Sequence, residues 1–197
     1  MPRMHSPTQE IAAHAARLVV EEGLEYGPAK RRALKALGLP TRTALPDNDL
    51  LEDEVRDYLA LFHAETQPVE LRALRELALQ WMELLREFRP HLGGAVWQGT
   101  ATRLSDIYIH LFCDDSKSAE LALINANVHY EPRGGVGLRG QDIDVLSIHA
   151  HSRMLEEDIG VHLLVNDHDD LRGALKPDSK GRTPRGAIDA VRALLAG

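Results

Sequence analysis

The sequence predicts an α+β fold, an N-terminal helical bundle packed on a small mixed sheet. Residues 1–90 read as helices, and residues 91–197 read as an α/β region. Three observations carry this. Apolar residues recur at helical spacing through the first ninety positions. The periodicity switches to alternation at Ile107-Tyr108-Ile109-His110-Leu111-Phe112. Two further apolar runs of strand length, Ile143 to His149 and Gly160 to Asn166, follow it.

The helices follow from their caps and seams. Ser6 is placed to cap a first helix, with Pro7 at the first helical position and Gln9 three residues on. Ile11, Ala15, Leu18 and Val19 share its inner face, and Gly23 ends it. A second helix spans Pro28 to Gly38, with Leu34 and Leu37 inward and Lys30, Arg31, Arg32 and Lys35 forming a solvated basic face. A third runs from Asn48 to Ala64 on Leu51, Val55, Tyr58, Leu59 and Phe62. A fourth begins near Pro68 and stops before Pro90, its seam made of Leu71, Leu74, Leu77, Leu84 and Leu85.

After the strand at Ile107 to Phe112, Asp114 or Asp115 caps a short helix through Ala126. Val128 to Glu131 reads as a strand, and Gly134-Gly135-Val136-Gly137 as a loop or wide hairpin. Thr183-Pro184 opens a final helix through Leu195.

Composition bounds the function classes. With 44% hydrophobic and 27% charged residues in 197, the chain can bury a core without staples. A net charge of −7 does not mark the whole surface for nucleic acid. The single cysteine, Cys113, excludes an internal disulfide and a multi-cysteine zinc site, and its acidic neighbours favour a packed, inert thiol. The run from Met1 to Pro7 leads into no signal-peptide core, and no stretch approaches a membrane span, so the expected residence is cytoplasmic. Histidines at 149, 151 and 162 invite a metal reading, but no metal-binding helical motif accompanies them, so scattered surface histidines are the expectation.

The candidate chemistry lies between Gly93 and Asp115. Gly93-Gly94 precedes a short polar loop, and then Ser105-Asp106 opens a strand. Glycines let backbone amides approach a phosphate, and an aspartate at a strand start can hold a divalent cation against it. Phosphoryl and nucleotidyl transfer consist largely of positioning and charge neutralisation, which suits such a layout. Alternation puts Asp106, Tyr108 and His110 on one face, opposite Ile107, Ile109 and Leu111.

These residues resemble the active-site signature of the nucleotidyltransferase superfamily, the fold of polymerase β. That signature is a Gly-Gly or Gly-Ser pair, a loop, then Ser-Asp-hydrophobic-Asp on a strand, with a further carboxylate on a later strand. The resemblance covers Gly93 to Ile148 and implies a mixed sheet of nucleotidyltransferase type. It implies that Asp106 and Asp144 are catalytic and bind Mg²⁺. It also implies a phosphate loop at Gly93 and Gly94, or at the rival pair Gly99 and Thr100, and a phosphate hydrogen bond from Ser105. Tyr108 stands where the second carboxylate belongs, and with His110 it would line the pocket.

The basic loop from Leu175 to Gly186, with Lys176, Lys180, Arg182 and Arg185, leads into the final helix and is placed to grip a triphosphate tail or an RNA backbone, a plain surface loop being the alternative. The reaction implied is transfer of a nucleotidyl group from a nucleoside triphosphate to an acceptor hydroxyl. The alternative is a non-catalytic nucleotide- or protein-binding regulatory module that kept the sheet and lost the metals. A third reading uses the amphipathic stretch Leu51 to Leu85 as a docking surface.

Overall fold

The structure, a computed structural model, describes residues 5–197; the leading residues Met1 to Met4, part of the run weighed above as a leader, lie outside them. The class is α+β, with helices first and a mixed sheet after. The chain divides into two compact units, Met1–Pro68 and Val69–Gly197.

The first unit holds α1 (Pro7–Glu22), α2 (Tyr26–Ala36) and α3 (Asn48–Phe62). At α1 the Ser6 side chain accepts from the Gln9 amide while the Gln9 side chain accepts from the Ser6 amide, and Gly23 closes the helix in the left-handed region at φ 70°. Asp47 caps α3 by accepting from Leu50 N at 2.8 Å. Ile11, Ala15 and Leu18 of α1 meet Ala33 and Leu34 of α2 and Leu51, Val55 and Leu59 of α3 in one apolar core. Glu21 ties the ends of α1 and α3 together, accepting from the Tyr58 hydroxyl at 2.8 Å and pairing with His63 Nε2 at 2.9 Å. α2 begins two residues earlier than Pro28.

The second unit begins with α4 (Gln67–Leu84), nearly all of which lies beyond the unit boundary. The division at 68/69 therefore differs from one at residue 90. Its cause is the inner seam of α4, where Ala73, Leu74, Leu77, Ala78 and Met82 share a core with the sheet. Next come β1 (His91–Gly93), α5 (Gly94–Gln98), β2 (Ile107–Cys113), α6 (Ser116–Asn125), β3 (Glu131–Val136), β4 (Asp142–Ser152) and β5 (Glu157–Asp167), then α7 (Leu171–Ala174) and α8 (Ile188–Ala196). Asp115, not Asp114, caps α6, accepting from Lys117 N.

The sheet order is β1-β2-β5-β4-β3. Only β2 and β5 run parallel; the other pairs are antiparallel. Ile107, Ile109 and Leu111 of β2, Leu146 and Ile148 of β4, and Val161, Leu163 and Val165 of β5 point to one face and bury against α4 and Ala119 and Leu123 of α6. The opposite face carries the polar alternates.

Four further local expectations change. The strand expected at Val128 to Glu131 lies at Glu131–Val136. Gly134 and Gly135 are inside it rather than in a loop, because their register positions face Asp144 and Ile143 of β4. A short helix, α5, begins at Gly94 where a loop was expected. The final helix starts at Ile188 instead of Thr183. Its expected first turn is extended, because Gly186 exchanges backbone hydrogen bonds with Leu92 at 2.8 and 3.0 Å. A Cβ on Gly186 would stand 2.3 Å from the Trp97 ring, so only glycine lets that segment pass.

Candidate functional site

The polar face of β2 starts at the turn from β1 into α5. Gly93 ends β1 opposite Tyr108. Gly94 takes φ +66°, a conformation that glycine adopts without strain. A Cβ on Gly93 would come within 3.4 Å of His110 Cδ2, and one on Gly94 within 3.5 Å of Tyr108 Cδ2. The glycine pair thus presses bare backbone against the row predicted to line the pocket. Gly99, the C-cap of α5 at φ 93°, and Thr100, which is buried, belong to the turn beyond α5. Ser105 Oγ accepts from the Thr102 amide at 3.0 Å and so organises the turn leading to Asp106.

Asp106 extends across the neighbouring strand. Its Oδ2 accepts from His162 Nε2 of β5 at 2.8 Å. The path is open because residue 160 is glycine: a Cβ there would meet the Asp106 carboxyl carbon at 2.8 Å. His162 Nδ1 lies 2.8 Å from Ser147 Oγ of β4. Because an ionised carboxylate only accepts, Nε2 carries a proton. In the neutral imidazole Ser147 then donates to Nδ1, and in the cation Nδ1 donates to Ser147. The Tyr108 ring lies against His162, with centroids 5.0 Å apart. Asp106, His162 and Ser147 thus form one chain across three adjacent strands, with Tyr108 beside it.

Asp144 is not part of this constellation. It pairs with Val165, and Val165 pairs with Leu111. Leu111 lies 111 − 106 = 5 residues along the chain from Asp106. That is about 16 Å along the strand direction, with two inter-strand spacings of about 4.8 Å in addition. Asp144 also shares its side of the sheet with Leu146 and Ile148, which face the core, whereas Ser147 and His162 face the other way. The expectation that Asp106 and Asp144 hold one metal centre is corrected on both grounds. Two catalytic cations lie about 3.5–4 Å apart and need ligands that reach both. Asp144 instead lines a cleft of about 720 Å³ at the far end of the sheet, with Asp114, Asp115, Asp142 and Asp167.

The remaining donors do not fit Mg²⁺. That ion demands near-octahedral oxygen ligation. Beside Asp106 stand an imidazole with both nitrogens engaged, a serine hydroxyl engaged with that imidazole, and a tyrosine. Among the described residues no group of three or more histidine, cysteine, aspartate or glutamate side chains is placed to hold a metal ion. Of the histidines weighed for zinc, His151 pairs with Asp158 at 3.0 Å and His162 with Asp106.

His110 sits deeper on the same face. Burial, reinforced by Arg185 and His91, lowers its pKa to about 4, so it is neutral near pH 7. Its Nδ1 accepts from Asn166 Nδ2 at 3.3 Å. Burial likewise lowers the pKa of His91, against the effect of its hydrogen bond to the Arg89 carbonyl. Cys113, at the end of β2, has its thiol pushed up to about 11 by burial, then by Asp114, Asp115 and Glu87.

The basic loop divides. Asp178 accepts from Lys180 N and Arg182 N, both at 2.9 Å, and from Arg182 Nε at 3.0 Å, so Arg182 serves the loop itself. Lys176 is exposed. The cation that reaches the glycine turn is Arg185, whose Cβ lies 3.9 Å from the position of a Gly93 Cβ. Its Nη1 donates to the Ala174 carbonyl at 2.7 Å. The sequence marked Arg185 as one cation of the basic loop but gave no signal that it lies beside Gly93, nor that His162 partners Asp106; these depend on the bridge from Leu92 to Gly186 and on strand order.

No family model matches the chain, and no curated protein matches it. Two solved structures are similar in part. One is the Cid1 poly(U) polymerase with MgGTP bound, at 14% identity and TM-score 0.35, covering 49% of this chain and 32% of that one. The other is a cytoplasmic RNA terminal U-transferase, at 16% identity and TM-score 0.35, covering 54% of this chain and 33% of that one. The chain thus spans about a third of the length of each. Among the described residues no helix is long and apolar enough to cross a membrane.

Proposed function

We propose that this chain is a nucleotidyltransferase-like module that binds a nucleoside triphosphate at the Gly93-Gly94 turn and Asp106 without transferring its nucleotidyl group. The carrying observation is the pairing of Asp106 with His162 at 2.8 Å. It leaves the site one carboxylate, already engaged, where nucleotidyl transfer of the two-ion kind needs several. The sequence signature Gly93-Gly94 followed by Ser105-Asp106 supports the nucleotide class, as does the pairing of Gly93 with Tyr108, two residues on from Asp106.

In this reading the Gly93-Gly94 backbone and Arg185 meet the phosphates. Asp106 accepts from a sugar hydroxyl, and Tyr108 and His162 offer ring faces toward the base or sugar. Lys176 and Lys180 serve the triphosphate tail from the loop. Asp144 has no part in it.

Thermal unfolding with ATP, GTP, CTP and UTP at millimolar concentration tests binding, since a ligand of the folded state raises the melting temperature by mass action. A rise with at least one nucleotide, diminished by Asp106→Ala, is expected. A parallel incubation with labelled nucleotide and Mg²⁺ should yield no transfer product. The absence of any shift, or the appearance of product, would refute the proposal.

A further inference from the structure

We infer that the His162 imidazole occupies the place a divalent cation would take beside Asp106, and that the side chains at 108 and 162 withhold a metal from this face of the sheet. A cation bound by Asp106 draws further ligands from side chains that share its face within one residue step or one strand spacing. On β2 that position is 108, two residues on. On β5 it is 162, which register places directly opposite Tyr108. Position 160 carries no side chain. Ser147 of β4, opposite His162, lies one strand further away. The carboxylate at the equivalent step on the other side of Gly160, Asp158, is paired with His151 at 3.0 Å, so no second unengaged carboxylate stands beside Asp106.

His162 does not replace a carboxylate as a ligand. Its Nε2 donates a proton to Asp106 and Nδ1 is engaged with Ser147, so no ring lone pair is turned toward a cation. The imidazole lies where an ion bridging Asp106 and a residue at 162 would stand. Gly160 completes the arrangement by letting the carboxyl lie down across β5 instead of projecting outward. The inference is independent of the nucleotide reading, because it concerns the metal alone.

The probe is Mn²⁺, followed by its free-ion EPR signal on titration with the protein. Wild type should leave the signal unchanged at submillimolar Mn²⁺. Tyr108→Asp/His162→Asp puts two carboxylates at register positions beside Asp106, and should bind Mn²⁺ at least about tenfold more tightly than wild type. Adding Asp106→Asn to that double variant should abolish the gain, while adding Asp144→Asn should not. A double variant whose melting curve shows it folded, yet which binds no better than wild type, overturns the inference. So does submillimolar Mn²⁺ binding by wild type that Asp106→Asn removes. If the double variant does not fold, the single variants His162→Asp and Tyr108→Asp are read by the same criterion, and the wild-type titration decides by itself.

Discussion

Asp106 at the start of β2 and His162 in the middle of β5 lie 56 residues apart in sequence and 2.8 Å apart at Oδ2 and Nε2. The parallel pairing of β2 with β5 brings them together, since Ile107 aligns with Val161 and Tyr108 with His162. A neighbouring carboxylate and imidazole at this exposure contribute on the order of 1 kcal/mol or less. The consequence of the pair is therefore chemical. It fixes which group Asp106 serves and the tautomer His162 adopts.

Gly160→Ala should break that pair sterically, because the added Cβ stands 2.8 Å from the Asp106 carboxyl carbon. A loss of about 1–3 kcal/mol in urea unfolding is expected, as for an overpacked site. In an Asp106→Ala background the same substitution should cost much less. A double-mutant cycle gives the difference.

Gly186→Ala should be worse tolerated. Its Cβ meets the Trp97 ring at 2.3 Å, and the Trp97 indole donates to the Thr183 carbonyl at 2.8 Å. Either the ring moves or the bridge from Leu92 to Gly186 opens. We expect loss of about 2–3 kcal/mol and a changed indole emission in the folded state. Unchanged stability and emission would contradict the packing described.

The half-buried His110 sets an acid limit. Its pKa of about 4 in the folded chain lies below the usual histidine value near 6.5, so the unfolded chain binds the extra proton first. Its effect on stability is absent above pH 6.5. As pH falls from about 6.5 to 4, stability should decline by about 3 kcal/mol from this residue. His91, lowered in the same direction, adds to the decline. Urea unfolding of wild type and His110→Gln across that range isolates the term: the difference between them should shrink as pH falls.

Cys113 should be silent in the native state. Its thiol is raised to about 11 and is buried at the end of β2. Labelling by a chromogenic disulfide at pH 8 should require denaturant. Rapid labelling of the folded chain would contradict this burial.

The helices were legible because their signals are local: the Ser6–Gln9 box, the Asp47 cap and the apolar seams require only neighbours in sequence. The alternating row of β2 was legible for the same reason, and the polar face of Asp106, Tyr108 and His110 is where alternation puts it. Its partners were not. Asp144 sits in an apolar alternation like that of Asp106, and nothing local distinguishes a strand beside β2 from one a further place away. The insertion of β5 between β2 and β4 decides it, carrying Asp144 to the other end and the other face and presenting His162 instead. Gly160 and Gly186 read as ordinary glycines until the side chains packed over them are known.

The most direct test is to record long-range ¹H–¹⁵N correlations of the histidine side chains in wild type, Asp106→Asn and Asp144→Asn. One histidine, assigned to residue 162 by His162→Gln, should have Nε2 protonated. Its ring nitrogens should shift in Asp106→Asn and in Ser147→Ala, and stay in place in Asp144→Asn. A His162 ring that ignores Asp106 and answers to Asp144 would contradict the arrangement on which the rest depends.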